Sequence, residues 1–554
     1  MGSTPEIITL QFGNYTNYVG THLWNIQEAQ FNYDPLAEPS DINHDVLFRE
    51  GKTFKGDVTF TPRVLICDLK GSYTNFPQEG ELYAGPVSSV DQIRSDIAWD
   101  ESKIEILDEE EKSKKTKNDF HQDLEKPEAD PESKEYNFAE NVTEWSDFMY
   151  SRHHPRSVNI IKEYQHETSE TSFDTFAAGE ELWKHFEDDF GDKIRNILEE
   201  CDFCQGFQVL FDVFDGFSGL ATKCGEHLND EYGKTLFCVP IFAPTAREFK
   251  NCDDPMSDSI RLMNIALTFS QLSESSAFFI PLSTMSRVWR AIEQPRAFQN
   301  LDYHPENYYQ TASILATYLD TLSLRYRLRY PSGGSYLSHL CTDMNRYGRK
   351  MGAAGLAMPF KMGAEEDLIE YLDRVEGPLF DNLSPHCEPG TDRVLQSICM
   401  RGIPETRLKK PREKAGKQVQ MAAYKCSSVG EMIQLYYQCS YYSSFAHVTS
   451  IEDPMKLRQP FPREILSKNL SRNGFSLPEM PENPSRIESM PVMATVQVSS
   501  ALSNTLEALH RDTKRIKFAK IHRFKESGME NDEYEESLER LLSFKENYDE
   551  GFEL

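Results

Sequence analysis

Apolar and polar positions change period repeatedly along this chain, and each change marks an element. Residues 6–12 (EIITLQF) alternate apolar and polar side chains and predict a strand. Gly13–Thr16 break that pattern, and Val19, Leu23 and Ile26 then recur at helical spacing. VTFTPRVLICDL at 58–69 predicts two strands with Pro62 between them. The second is an unbroken apolar run, the pattern of a parallel strand buried on both faces. Trp145–Tyr150 resumes an apolar pattern, and RHHPRS at 152–157 leads into the short strand SVNII. Then come a helix over 186–200, a strand over 207–211, a helix over 220–232, a strand over 234–241 and a helix over 259–273. Strand and helix in turn imply a doubly wound parallel sheet.

Residues 307–325 predict one long helix. Residues 332–465 read as a second α/β unit, with a small-residue strand GAAGLAMPF at 352–360. Frequent Pro and Ser over 452–495 predict a connector to two final helices, 500–514 and 532–548. In the last, Tyr534, Leu538, Leu541, Leu542 and Tyr548 form the apolar face. Between the first strands and Trp145 the pattern is lost. Residues 100–135 are charged and nearly free of large apolar side chains, and are expected to be a disordered or loosely helical insertion. The expected division is therefore 1–99 and 136–300 for the first domain, split by the insertion at 100–135. A connecting helix at 301–330, a second domain at 331–470, and a linker with helices at 471–554 complete it.

The formal net charge of −30 changes the picture of partners. It argues against nucleic acid, whose phosphates would be repelled. No apolar run approaches the roughly 20 residues that span a bilayer, and the chain start carries no signal-peptide pattern. A cytoplasmic protein is expected, with attachment to an organelle surface through a partner or a peripheral contact. Cys201 and Cys204 form a CxxC without a second pair at zinc-ligand spacing, so no metal site is expected. His153-His154-Pro155-Arg156 reads as a turn into a strand, and no G-x-S-x-G elbow is present. The basic stretch 405–417 reads as a solvated loop.

Nucleotide chemistry is the one active-site class that the pattern raises. Glycine turns at helix N-termini let bare N–H groups and the helix dipole meet phosphate. LQFGNYTNYVGTHLWN, with Gly13, Asn17, Gly20 and Trp24, is similar to the first phosphate-loop segment of tubulins. TPRVLICDLKGS, ECDFCQGFQVL, MNIALTFSQLSESS and GMENDEYEES resemble further tubulin segments in the same order. The whole pattern resembles the Misato family of tubulin-related proteins more closely still, through QFGNYTNYVGTHLWN, WSDF, HPRS, QGFQVLFDVFDGFSG and RGIP.

The resemblance implies an α/β, tubulin-like fold: a parallel-sheet nucleotide-type domain, a long connecting helix, a second α/β domain and C-terminal helices. It implies a role in mitochondrial distribution, morphology and inheritance, and in spindle and microtubule assembly during chromosome segregation. Chaperonin, prefoldin and tubulin would be partners, with peripheral attachment to the mitochondrial outer surface. A GTP-binding switch or GTPase of the tubulin type, or a cofactor in tubulin folding with chaperonin, are the alternatives.

The loops depart from the tubulin pattern. Where tubulins run glycines after QGFQ, this chain has Phe214-Asp215-Gly216-Phe217-Ser218-Gly219. Phe214 and Phe217 add bulk and Asp215 adds negative charge beside the expected phosphate. The Ala-Gly-Asn-Asn loop of tubulins has no counterpart between Trp145 and Gly179, and Lys70 stands where an acid near the metal is expected. SLRYRLRYPSGGSYLSHL (323–340) offers no acid to position water, and Asp320 reads as a surface or capping carboxylate. The expectation is a non-hydrolysing protein without a required cofactor or catalytic residue. Any remaining affinity for GTP would run through Gly13, Asn17, Gly216, Ser218, Gly219 and Asn264, the last on a purine edge.

Overall fold

A computed structural model describes residues 5–32, 36, 40–52, 58–72, 118–124, 131–166, 173–244, 255–289, 295–329, 335–387, 394–409, 421–439, 445–483 and 485–549. Most of the charged stretch 100–135 and of the basic loop 405–417 lies outside these residues.

The first domain begins with β1 (Pro5–Phe12), which turns at Gly13 into α1 (Asn14–Glu28). A hairpin of β2 (Phe48–Lys52) and β3 (Val58–Pro62) leads through Arg63 into β4 (Val64–Lys70). Pro62, expected between the two strands, is the last residue of β3, and Arg63 alone separates it from β4. After α2 (Asp119–Leu124) come β5 (Val158–Gln165), α3 (Phe176–Glu199), β6 (Phe203–Asp212), α4 (Phe217–Tyr232), β7 (Thr235–Ile241), α5 (Pro255–Ser275) and the short β8 (Phe278–Phe279). These strands make one parallel sheet of six in the order β5-β4-β1-β6-β7-β8. Inside it β4 and β6 are buried except at one end each, as strands covered on both faces must be.

Helix α3 starts at Phe176 rather than at the expected 186. Thr175 caps it by accepting from Ala178 N at 3.2 Å, and its small first turn lies against α4. Sequence periodicity passed over that turn because Ala177, Ala178 and Gly179 carry no large apolar side chain. Part of the stretch expected to be loose also packs. Phe120 of α2 is buried among Tyr136, Phe138 and His121, and Asp123 accepts from Tyr136 Oη at 2.9 Å.

Helix α6 (Tyr308–Arg327), capped by Asn307, runs between the two domains, and all 20 of its residues are buried. The second domain follows: α7 (Leu337–Met344), β9 (Ala353–Ala357), α8 (Leu368–Arg374), β10 (Asp381–Asn382), β11 (Leu395–Arg401), α9 (Val429–Cys439) and β12 (Phe445–Ile451). A two-residue ladder, β13 (Met455–Lys456) with β14 (Ser489–Met490), precedes β15 (Val492–Val498). The second sheet has the order β10-β9-β15-β11-β12. Its middle strand, β15, lies in the stretch read as linker; PVMATVQVSS is apolar enough for a buried strand, but the Pro and Ser around it hid the signal. Helices α10 (Leu502–Thr513) and α11 (Asn531–Glu546) then return to the first domain and pack against α5.

Candidate nucleotide site

The carboxyl ends of β1, β4 and β6 converge where an open α/β sheet places its ligands. Gly13 turns there with φ +110°, a conformation that favours glycine. The N-terminus of α1 beyond it would suit an anion, and a side chain of this protein takes that place. Asp212, the last residue of β6, accepts from Tyr15 N and Thr16 N, both at 2.9 Å, and from Thr16 Oγ1 at 2.7 Å. A Cβ on Gly13 would stand 2.4 Å from Asp212 Oδ2, so the glycine makes room for this carboxylate.

Asn17 is fully buried one turn into α1. Its amide donates to Cys67 O at 3.2 Å and to Asp68 Oδ2 at 2.9 Å. Trp145 Nε1 donates to the same Asp68 oxygen at 2.9 Å, and burial raises the Asp68 carboxyl above its ordinary range. Asn17 Oδ1 has no hydrogen-bond partner among the described residues. Lys70, at the end of β4, is exposed.

The remaining candidates gather around the start of α4, and each is used internally. Gly216 N donates to Phe173 O at 3.0 Å, and a Cβ on Gly216 would meet the Phe173 ring at 2.7 Å. Asp215 Oδ1 accepts from Phe217 N at 2.9 Å, and Ser218 Oγ donates to Asp215 O at 2.6 Å, so the first turn of α4 is closed by its own neighbours. A Cβ on Gly219 would lie 1.9 Å from Phe176 O, and one on Gly179 1.8 Å from Gly216 O. These glycines therefore let the backbones of α3 and α4 touch. Asn264 of α5 accepts from Phe176 N and donates to Asp174 O and Phe214 O, each at 2.8 Å. Its amide is spent stapling two loops rather than facing a purine.

Phe173, Phe214 and Phe217 are all buried at this end of the sheet, with the Phe173 and Phe217 rings edge to face at 5.2 Å. Gly216, Ser218, Gly219 and Asn264 gather at the start of α4 with these rings, whereas Gly13 and Asn17 stand at the start of α1 beside Asp212 and Asp68. The residues so placed do not fit a triphosphate: the α1 terminus holds a carboxylate, and the loop before α4 buries aromatic rings. Sequence reading singled out Asp215 as the obstructing charge, whereas Asp212 stands at the α1 terminus. The usable signal was an acid ending an otherwise apolar strand, FQVLFD, just before a glycine turn.

Asp320 is the clearest departure from expectation. It is neither exposed nor a cap but fully buried in α6. Oδ1 pairs with Arg327 Nη2 at 2.7 Å, and Oδ2 with Arg401 Nη1 at 2.8 Å and with Gln30 Nε2 at 3.3 Å. Arg401 also donates to Gln30 Oε1. Gln30 follows α1 and Arg401 ends β11, so this carboxylate ties both domains to the connecting helix.

Among the described residues, no three His, Cys, Asp or Glu side chains gather as a metal site. Cys201 donates to Ile197 O at 3.4 Å, and burial pushes its thiol up to about 12. His153 is buried against Ser151 O, and His154 accepts from Arg156 N at 3.1 Å in the turn before β5. No helix among the described residues is long and apolar enough to cross a membrane.

Comparison with known proteins agrees with this architecture. A family model described as "Misato Segment II tubulin-like domain" matches residues 5–126, and one described as "Tubulin domain" matches residues 136–328. Protein misato of Drosophila melanogaster is 42% identical over 573 aligned positions, covering 99% of each chain. Protein misato homolog 1 of Danio rerio is 31% identical, covering 99% of this chain and 97% of its own, and that of Homo sapiens is 30% identical, covering 99% of both. With a parallel tubulin-like sheet and relatives aligned from end to end, the chain belongs to the Misato family of tubulin-related proteins.

Proposed function

We propose that this protein is a tubulin-like scaffold that acts through protein contacts and does not turn over GTP. Its roles would be mitochondrial distribution, morphology and inheritance, and spindle and microtubule assembly during chromosome segregation. It would work from the cytoplasm and peripherally at the mitochondrial outer surface, with tubulin and chaperonin or prefoldin components as partners. The cellular part of this reading rests on membership of the family. The chemical part rests on one observation: Asp212 occupies the α1 terminus that a phosphate would need.

A carboxylate and a phosphate ~4 Å apart repel by about 4 kcal/mol at an effective dielectric near 20. The buried rings of Phe173, Phe214 and Phe217 oppose the same ligand sterically. Asp320, the acid of the long helix, is already engaged by Arg327 and Arg401 and is not free to position water. The test is phosphate release from GTP and Mg²⁺ by the purified full chain, with calorimetric titration alongside. No release above buffer and no tight binding are expected; steady turnover would end the scaffold reading.

A further inference from the structure

A cleft of about 810 Å³ opens at the outer edge of the first sheet, between β5, α3 and the β2–β3 hairpin. None of the candidate nucleotide residues lines it. Val158, Asn159 and Ile160, and again Lys162 and Glu163, all do. Successive side chains of a strand point to opposite faces, so a cleft that meets consecutive residues reaches the rim of the strand. β5 is the terminal strand of its sheet, and its outer backbone row faces no strand among the described residues. Such an edge is a template for an added strand.

The chemistry of the walls narrows the ligand. In a chain of net charge −30, Arg49, Arg63, Arg156, Lys162 and Lys193 converge here. Four acids also line the cleft, Glu163 and three that are already engaged: Glu200 pairs with Arg49, Asp189 with Lys193 at 2.6 Å, and Asp192 with Arg195 at 2.8 Å. Arg156 and Lys162 are exposed and have no acidic partner among the described residues. Arg63 is only 8% exposed, lies 3.6 Å from Glu6, and keeps its Nε without a hydrogen-bond partner. Burial first, and then the charges of Arg49 and Arg156, hold the His154 imidazole at the mouth down to about 4. Pro62, Leu65 and Phe186 supply apolar wall beside these charges. Separated cations, apolar wall and an open backbone edge together suit a peptide better than a compact phosphate.

We propose that this cleft docks an extended, carboxylate-rich segment of a partner protein, which adds a strand to β5 and sets its acids against Arg63, Arg156 and Lys162. The proposal rests on the scaffold reading above and gives the partner's chemistry. The test titrates the full chain with a labelled peptide alternating glutamate and valine, followed by fluorescence anisotropy. Saturable, salt-weakened binding is expected, lowered at least about tenfold in Arg156→Glu/Lys162→Glu. Both side chains are exposed, and an unchanged melting temperature of the variant checks the fold. The His154 ring protons, followed by NMR, should titrate at higher pH with peptide bound, as an added negative charge requires.

A lysine–valine peptide should not bind. Equal affinity for wild type and variant, no binding, or full displacement by inorganic triphosphate would each overturn the proposal, the last by making this a phosphate site. GTP turnover is measured on the same preparations. Turnover with intact peptide binding defeats the scaffold reading alone, and lost peptide binding without turnover defeats only the docking site.

Discussion

Helix α1 meets a buried carboxylate at each end, and the two are held differently. At its start Asp212 accepts from the N–H of Tyr15 and Thr16 and from the Thr16 hydroxyl. Just beyond its end Asp320 faces two guanidinium groups and the amide of Gln30. The first carboxylate is stabilised by the partial charge of a helix terminus, and the second by two full opposite charges in a buried junction. A cap can be removed at modest cost because water can replace it. A buried ion cluster cannot lose one member without stranding the others. The sheet mouth is therefore the adaptable end of the helix and the domain junction the rigid one.

The largest test of that contrast is Asp320→Ala. Stranding Arg327 and Arg401 is expected to cost about 3–5 kcal/mol in urea unfolding. Replacing Asp320, Arg327 and Arg401 together by Leu, Met and Met should recover most of the loss. A single-variant cost under ~1 kcal/mol would show that the junction is not charge-locked.

Acid should act on the body of the helix next. His22 of α1 packs against Phe148 and Tyr309, and burial holds its imidazole near a pKa of about 3; buried His153 is held at about 4. Both folded values lie below the ordinary histidine value of ~6.5. Their neutral forms favour folding above that pH, and the advantage is lost as pH falls toward the folded values. At pH 5 the loss is about 2 kcal/mol for each. Asp68 runs the other way: its raised carboxyl favours folding at low pH, and that contribution is lost as pH rises through the folded value. Thermal melting from pH 7 to 5 should therefore show a falling midpoint, with a shallower fall in His22→Gln. An unchanged slope in that variant would refute His22 as a source.

At the mouth, Asp212→Ala should cost about 1–2 kcal/mol, the range of a lost helix cap. It also frees the α1 N–H groups, so inorganic triphosphate should raise the melting point of the variant and not of the wild type. Equal responses would mean that Asp212 does not guard an anion site. The smallest effect belongs to Glu132, from the charged stretch, which accepts from Gln459 N at 2.6 Å and pairs with Arg463 at 3.2 Å and with Arg486. It is 34% exposed, so Glu132→Gln is expected to cost under ~1 kcal/mol by urea unfolding. A larger loss would make this surface contact a second lock between distant parts of the chain.

What could be read in advance follows physical range. Strands β1, β4, β6 and β7 and helices α4, α5 and α6 announce themselves by local period, and the glycine turn at residue 13 by local chemistry. Asp212 did not, because its meaning depends on a helix start 197 residues away from it in sequence. Asp320 was misread for a related reason. A polar residue in a helix is solvated by default, and only the packing of α6 between two domains, with all its residues buried, reverses that default. Asn264 lies on the expected helix, but its three partners come from the start of α3 and two loop residues, whose approach no local pattern encodes.

The placement of β15 carries a consequence for synthesis. The second sheet is built around a strand whose residues, 492–498, leave the ribosome after those of β9, β10, β11 and β12. Until then β9 and β11 each offer an unpaired rim of backbone groups, the kind that recruits strands from other molecules. Chains released early, before that strand emerges, would expose both rims at once. Any truncation of this protein before residue 492 is for that reason a candidate aggregate rather than a smaller folded unit.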